Sequence, residues 1–292
     1  MSGTQIIDVA GRATRIKIDG EHSAPPVVLL HGINRSLEDW AAAAVRLAPS
    51  FRVVSLDIPG FGFSARRPER ASLQSFACGV LETLDALQTL GALDENRPVH
   101  LLGNSLGGSI AMQIQAIAPD RVASLSLADA AGFGSQITPM VRLLGTPVVG
   151  RALTKRSSAF GAKMTERSLH ANPAFATPER IAHALAIADQ QGPGIVAHEA
   201  AHALTTIRGV RQQWRDELMD RLTRTPRPTL VMWGEEDRVL PVAQLATAKS
   251  LIPHARTHLF TGTGHMPQIE RPTEFAELVG KFIAAASSST SR

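Results

Sequence analysis

Short, unbroken apolar runs recur along this chain, each followed by a helix-length segment, and that alternation narrows the fold more than any other feature. Pro26-Val27-Val28-Leu29-Leu30 and Phe51-Arg52-Val53-Val54-Ser55-Leu56 are two such runs, with a helical pattern from Leu37 to Leu47 between them. Strands buried on both faces and separated by helices imply a parallel sheet covered by helices. The rhythm continues through a helix from about Leu73 to Leu90, a strand from Val99 to Gly103, a helix from Leu106 to Ala118 and a strand from Val122 to Ala128. Ahead of it, Gln5 to Val9 and Ala13 to Ile18 read as a pair of short strands punctuated by Gly11 and Gly20.

Between about Gly132 and Pro226 the rhythm stops. Ala-rich, Arg-bearing segments such as Pro178 to Gln190 and Ile195 to Arg208 read there as helices separated by Pro and Gly. Strand and helix alternate again in Thr229 to Trp233, Val242 to Leu251, Thr257 to Phe260 and Pro272 to Ala286. The expected architecture is α/β: a mostly parallel eight-stranded sheet flanked by helices, formed by residues 1–131 and 227–286, with residues 132–226 inserted as a helical cap. The polar stretch 287–292 is expected to be a disordered tail. A length of 292 residues suits one α/β domain carrying an insertion.

The net charge of +4 comes from Arg and Lys residues interleaved with Asp and Glu, so no basic block marks a nucleic-acid partner. Tyr is absent and aromatic residues make up 4% of the chain, which gives single-stranded bases no stacking platform. Cys78 is the only cysteine, so no internal disulfide can form. Its apolar surroundings read as core. Met1-Ser2-Gly3-Thr4-Gln5 has neither a basic nor an apolar targeting segment, and no run reaches the roughly 18 apolar residues of a membrane span. The expectation is a cytoplasmic protein with no membrane span.

Gly103-Asn104-Ser105-Leu106-Gly107-Gly108 falls between a buried strand and an amphipathic helix and matches G-x-S-x-G. Such a turn makes a serine hydroxyl project, and glycines on either side remove side chains that would clash. With the helix starting at Leu106, its free N–H groups face the point where an oxyanion would develop. A hydroxyl of ordinary acidity needs a base and a group that orients the base. His265, in Gly262-Thr263-Gly264-His265, follows the strand ending at Phe260, and Asp237, in Gly234-Glu235-Glu236-Asp237, follows the strand before it. Both lie at the C-terminal edge, where parallel sheets build their sites. The order Ser105, Asp237, His265 is that of nucleophile, acid and base in hydrolases of this architecture. Glu235 and Glu236 compete as the acid, and Asp129, at the end of the preceding strand, is a further rival.

With these residues in place, the chain outside the cap resembles the α/β-hydrolase superfamily, in particular its esterase, lipase and meta-cleavage-product hydrolase branch. His31-Gly32-Ile33 and Asp57-Ile58-Pro59-Gly60-Phe61-Gly62-Phe63-Ser64 extend the likeness. The resemblance implies main-chain N–H groups of Ile33 and Leu106 as the oxyanion hole, favours Asp237 over its neighbours, and implies no cofactor. Related dehalogenases and epoxide hydrolases carry Asp at the nucleophile position, where Ser105 stands. His31 and Asp57 are assigned to loop architecture.

The expected activity is hydrolysis of a small-molecule carboxylic ester with an apolar portion, through an acyl-enzyme on Ser105. The alternative is carbon–carbon bond hydrolysis of the meta-cleavage-product type. The Gly-Asn-Ser turn resembles that group, but Ile33-Asn34-Arg35-Ser36 and Met266 stand where it typically has Gly-Pro-Gly and Trp. A zinc peptidase is a third reading, because His198-Glu199-Ala200-Ala201-His202 matches H-E-x-x-H. Thr205 and Arg208 occupy the places of the metzincin extension, and Glu217 is the remaining candidate for a third ligand. No metal is expected, and the motif is assigned to the cap surface. A fourth reading is a non-catalytic binding protein, against which the complete Ser-Asp-His set argues. Apolar stretches Leu143 to Leu153 and Ile181 to Ile187 are expected to roof the pocket, and Arg35 to be either an exposed loop residue or a partner for an acidic substrate group.

Overall fold

The computed structural model describes residues 3–95, 97–154, 158–190 and 192–290. Its strands are β1 (Gln5–Val9), β2 (Arg12–Asp19), β3 (Pro26–Leu30), β4 (Arg52–Leu56), β5 (Val99–Asn104), β6 (Val122–Ala128), β7 (Thr205–Thr206), β8 (Gly209–Val210), β9 (Thr229–Gly234) and β10 (Arg256–Phe260). Eight of them form one sheet in the order β1-β2-β4-β3-β5-β6-β9-β10, antiparallel at the β1 and β2 edge and parallel from β4 onward. β3, β5 and β9 are buried at every position, whereas the edge strands β1 and β10 are largely exposed until their last residue. That is why the inner strands read as continuous apolar runs. Each fully buried Val or Leu in them contributes about 1.5–3 kcal/mol relative to exposure.

The helices are α1 (Ala41–Leu47), α2 (Leu73–Thr89), α3 (Leu106–Ile117), α4 (Pro139–Leu144), α5 (Val149–Leu153), α6 (Ala159–Leu169), α7 (Pro178–Ala188), α8 (Pro193–Leu204), α9 (Gln212–Arg224), α10 (Ala243–Leu251), α11 (Pro267–Glu270) and α12 (Pro272–Thr290). α1 and α12 pack together on one face of the sheet around Trp40, Phe260 and Phe275. α2 and α3 cover the other face through Phe76, Val80 and Ile110.

A helical insert separates β6 from β9, as the loss of strand rhythm implies. Two details of the insert differ from the sequence reading. The insert contains the two-residue ladder of β7 and β8, too short to leave a pattern. Its last helix, α9, packs against α3 and buries Leu218, Met219 and Leu222 in the main core, so α9 flanks the sheet. The final helix also continues past Ala286 to Thr290, extending into the polar stretch taken for a tail. Ser287 Oγ bonds the Ile283 carbonyl at 3.0 Å, a local partner that lets serine continue a helix. Residues 291 and 292 lie outside the described residues. Cys78 is half-buried on α2 instead of lying in the core, and Gln74 Nε2 contacts its sulfur at 3.4 Å.

Candidate active site

Ser105 joins β5 to α3 with φ 57° and ψ −119°, a conformation that L residues rarely adopt. The surroundings over-determine it. Its N–H donates to the Ala128 carbonyl (3.0 Å), and its own carbonyl accepts from Gly108 (3.1 Å), Ala131 (3.2 Å) and Ser109 (3.3 Å). A Cβ at position 107 would collide with the Leu30 carbonyl oxygen, and one at 103 with the backbone of Gly107, so both glycines are required. Ser105 is thereby held at the positive end of α3.

The loop after β3 lies beside it: a Cβ on Gly32 would sit 3.4 Å from Ser105 Cβ. Neither the Ile33 nor the Leu106 N–H donates to another described residue, so both are free to bind an oxyanion. Buried His31 pins this loop. Its Nδ1 lies 2.8 Å from the Gly32 carbonyl and its Nε2 accepts the Ile58 N–H at 3.0 Å. Burial lowers its pKa and so favours the neutral ring that this pair of bonds requires. Asp57 accepts the N–H groups of Leu37 and Phe63, both at 2.8 Å, and Arg15 Nε at 2.7 Å. Both residues hold loops.

The turns after β9 and β10 are zipped together by bonds from Glu235 N–H to the Phe260 carbonyl (3.0 Å) and from Glu236 N–H to the Thr263 carbonyl (2.8 Å). This places His265 Nδ1 at 2.7 Å from Asp237 Oδ2, with both side chains buried. Asp237 Oδ1 accepts the N–H groups of Val239 (2.6 Å) and Leu240 (3.0 Å). A carboxylate only accepts, so Nδ1 carries the ring proton and Nε2 is the basic nitrogen. Glu235 and Glu236 are exposed, and Glu235 Oε2 accepts the Gly262 N–H at 3.0 Å.

Asp129 directly follows β6 with φ 46°, and its Oδ1 accepts the Gly234 N–H at 2.8 Å. One ligating atom from each of Asp129, Asp237 and His265 lies within 4.8 Å of the others. Burial first, then the charge of Asp237, raises the Asp129 carboxyl well above the ordinary carboxylate range. Two buried carboxyl groups this close cannot both ionise. Asp237 receives three hydrogen bonds and Asp129 one, and the raised carboxyl of Asp129 is the one that keeps its proton. As a metal shell the cluster is poor, because Asp129 Oδ2 is the one carboxyl oxygen of its four without a hydrogen-bond donor.

Three positioning contacts left no mark in the sequence. Asn104 Nδ2 donates to the His265 carbonyl at 3.0 Å across 161 residues. Glu270 accepts the Gly264 N–H at 2.8 Å and the Ala171 N–H at 3.0 Å, tying the histidine loop to the segment after α6. The His265 N–H donates to the Leu169 carbonyl at 2.8 Å. Pairings between segments this far apart carry no local periodicity or turn signal.

Arg35 is neither exposed nor available to a substrate acid. It forms a two-pronged pair with Asp39 (2.7 and 2.8 Å) and also bonds Glu166 of α6. Arg180 of α7 bonds the same two acids, at 2.9 Å to Asp39 and 3.2 Å to Glu166. Burial would raise the Asp39 pKa, but Arg35 and Arg180 hold it down at about 2. The four groups latch the insert onto the loop after β3.

The zinc-like motif lies on α8. Glu199 is bound to Arg66 at 3.2 Å and to the Ala71 N–H at 2.9 Å. His198 and His202 each turn Nδ1 toward a carbonyl at the end of α4, Leu144 and Gly145, both at 2.8 Å. The motif thus stitches the insert to the rest of the molecule. Of the expected roof, Ile181 and Ile187 are partly or fully buried, but Leu143, Val148, Val149 and Leu153 face solvent.

A sequence profile of the alpha/beta hydrolase fold matches residues 25–272. The chain belongs to that family. This α/β-hydrolase is 30% identical to a 2-hydroxymuconate semialdehyde hydrolase of Pseudomonas sp. (strain CF600), over 97% of its own length and 94% of the relative's. It is 32% identical to the dihydrolipoyllysine-residue acetyltransferase component of an acetoin cleaving system from Pseudomonas putida, over 91% of this chain, and spans 65% of that longer relative. Among solved structures, a meta-cleavage product hydrolase from Pseudomonas fluorescens IP01 superposes with a TM-score of 0.79 at 25% identity, covering 97% of this chain and 98% of that one. No helix among the described residues of this α/β-hydrolase is long and apolar enough to cross a membrane.

Proposed function

We propose that this α/β-hydrolase is a serine hydrolase in which Ser105 is the nucleophile, His265 the general base, Asp237 the acid that orients it, and Ile33 and Leu106 the oxyanion donors. The observation that carries this reading is the 2.7 Å bond from His265 to Asp237 at the sheet edge where Ser105 is held in its strained turn. Ser105 Oγ attacks a carbonyl carbon as His265 Nε2 takes its proton, and the two N–H groups bind the oxyanion. His265 returns the proton to the leaving group, and water then releases the acid. The insert roofs the site, and no cofactor takes part.

The bond we assign is a carbon–carbon bond beside a ketone in a vinylogous diketone acid. The support is the 30% identity, nearly end to end, with a 2-hydroxymuconate semialdehyde hydrolase. This reading reverses the ranking drawn from the sequence, where Met266 and the loop after Gly32 favour esters. A carbon leaving group must be delocalised before it can depart, which the dienoate itself provides.

A second reading, hydrolysis of an uncharged ester, is favoured by one feature. Arg35 and Arg180 are neutralised by Asp39 and Glu166 and so are not free to receive a substrate carboxylate. Comparing kcat/KM for a meta-cleavage dienoate with that for p-nitrophenyl esters of graded acyl length decides between them. A dienoate preference of tenfold or more, about 1.4 kcal/mol, supports the first reading, and the reverse preference supports the second.

A further inference from the structure

Helix α6 is turned inside out. Its Glu166 side chain is fully buried, paired with Arg35 and Arg180, while Phe160 is 75% and Met164 51% exposed. Ordinary amphipathic helices do the opposite. At about 100° per residue, Phe160, Lys163, Met164 and Arg167 fall within one arc of about 100° on α6, and Glu166 lies off it. All four are exposed.

The same chemistry recurs on the two helices that precede α6 in the chain. Val148, just before α5, is 81% exposed and Met140 on α4 is 60% exposed. α4 and α5 pack against each other and against α8, so their outward side chains share one side of the insert. Arg151, on α5, is exposed there as well. From Ala130 to Thr177 the sequence carries six Arg and Lys residues and a single acid, Glu166, which is committed to the interior. An apolar surface studded with cations and lacking outward acid is not how a purely solvated face is built.

We infer that the outward sides of α4, α5 and α6 dock together onto an anionic lipid surface. Head-group phosphates match the cations, and the acyl boundary beneath them takes the Phe160, Met164 and Val148 tips, the arrangement of interfacial helices that lie on a membrane without crossing it. A second copy of the chain is a worse occupant, because pairing the face with itself would bring like charges together. An acidic protein would satisfy the cations but would leave separate, protruding apolar tips to be matched one by one. The inference is independent of which bond the site cleaves.

Flotation of the full chain with vesicles tests it. Vesicles of phosphatidylcholine with a quarter phosphatidylglycerol should carry the protein, and vesicles of phosphatidylcholine alone should carry at least tenfold less. Raising the salt should release it. Val148→Asp with Phe160→Asp, and separately Arg151→Gln with Lys163→Gln, should each weaken binding tenfold or more with the melting temperature unchanged. These positions are exposed, so both variants should fold. Binding to neither vesicle, equal binding to both, or unchanged binding of the variants would overturn the inference. So would a dimer in sedimentation velocity that the Val148→Asp, Phe160→Asp variant dissociates, since a second copy would then own the face.

Discussion

Asp129 and Asp237 bring two buried carboxyl groups to one imidazole, and only Asp237 is bonded to it, at 2.7 Å. The two acids sit at the ends of adjacent parallel strands, β6 and β9. Backbone N–H groups sort them: two serve Asp237 besides His265, and one serves Asp129. Asp129, raised by burial and by its neighbour, is the carboxyl that keeps a proton.

This division of roles separates the two by mutation. Asp237→Asn should lower kcat by about 10³–10⁴, because an amide cannot stabilise the imidazolium and can invert the tautomer. Asp129→Asn should stay within about tenfold of the parent, since a neutral amide replaces a neutral carboxyl. Steady-state kinetics on whichever substrate the parent prefers would show it. The opposite order of effects would make Asp129 the acid.

Asp129 also sets a pH dependence of stability. Its pKa in the folded chain is raised by burial and by Asp237 above the ordinary 3.8. The native state then holds a proton that the unfolded state releases, so this contribution is complete below about pH 3.8 and is lost as pH rises through the raised value. Melting curves of the parent and Asp129→Asn should show the variant gaining relative stability from pH 4 to pH 8. A constant difference between them would contradict the assignment.

The Arg35, Asp39, Glu166 and Arg180 latch should be intolerant of partial removal. Glu166→Gln leaves two buried cations with one acid and should cost about 3–5 kcal/mol in urea unfolding. Asp39, held at about 2, contributes stability above its ordinary 3.8 that is lost as pH falls through about 2. The latch should therefore persist in mild acid. A Glu166→Gln cost below about 1 kcal/mol would show that the network is dispensable.

The sheet and the position of the candidate site were legible because each signal is local. Apolar runs mark strands buried on both faces, and Gly103 and Gly107 flank Ser105 because no side chain fits there. Asp237 could be placed because its turn follows a strand next to that of His265. The insert was legible only as helical. Periodicity in Leu143 to Leu153 identifies an apolar segment but not the side it faces, and here it faces out. Arg35 was misread for a related reason: its partner Glu166 lies 131 residues away and nothing near Arg35 announces it. H-E-x-x-H misled less, because Glu199 and the two histidines turn to different protein partners.

Those partners make the motif a stability element. His198→Ala and His202→Ala should each lose about 0.5–1.5 kcal/mol, the worth of one hydrogen bond to the end of α4, and EDTA should leave turnover unchanged. Activity abolished by chelation and restored by zinc would revive the peptidase reading.

The most direct test of the account is kcat/KM for the parent and Ser105→Ala on the meta-cleavage dienoate, with p-nitrophenyl esters run alongside. The parent should prefer the dienoate, and Ser105→Ala should lose at least about 10³ in kcat on every substrate. A Ser105→Ala variant that turns over either substrate as fast as the parent would contradict it.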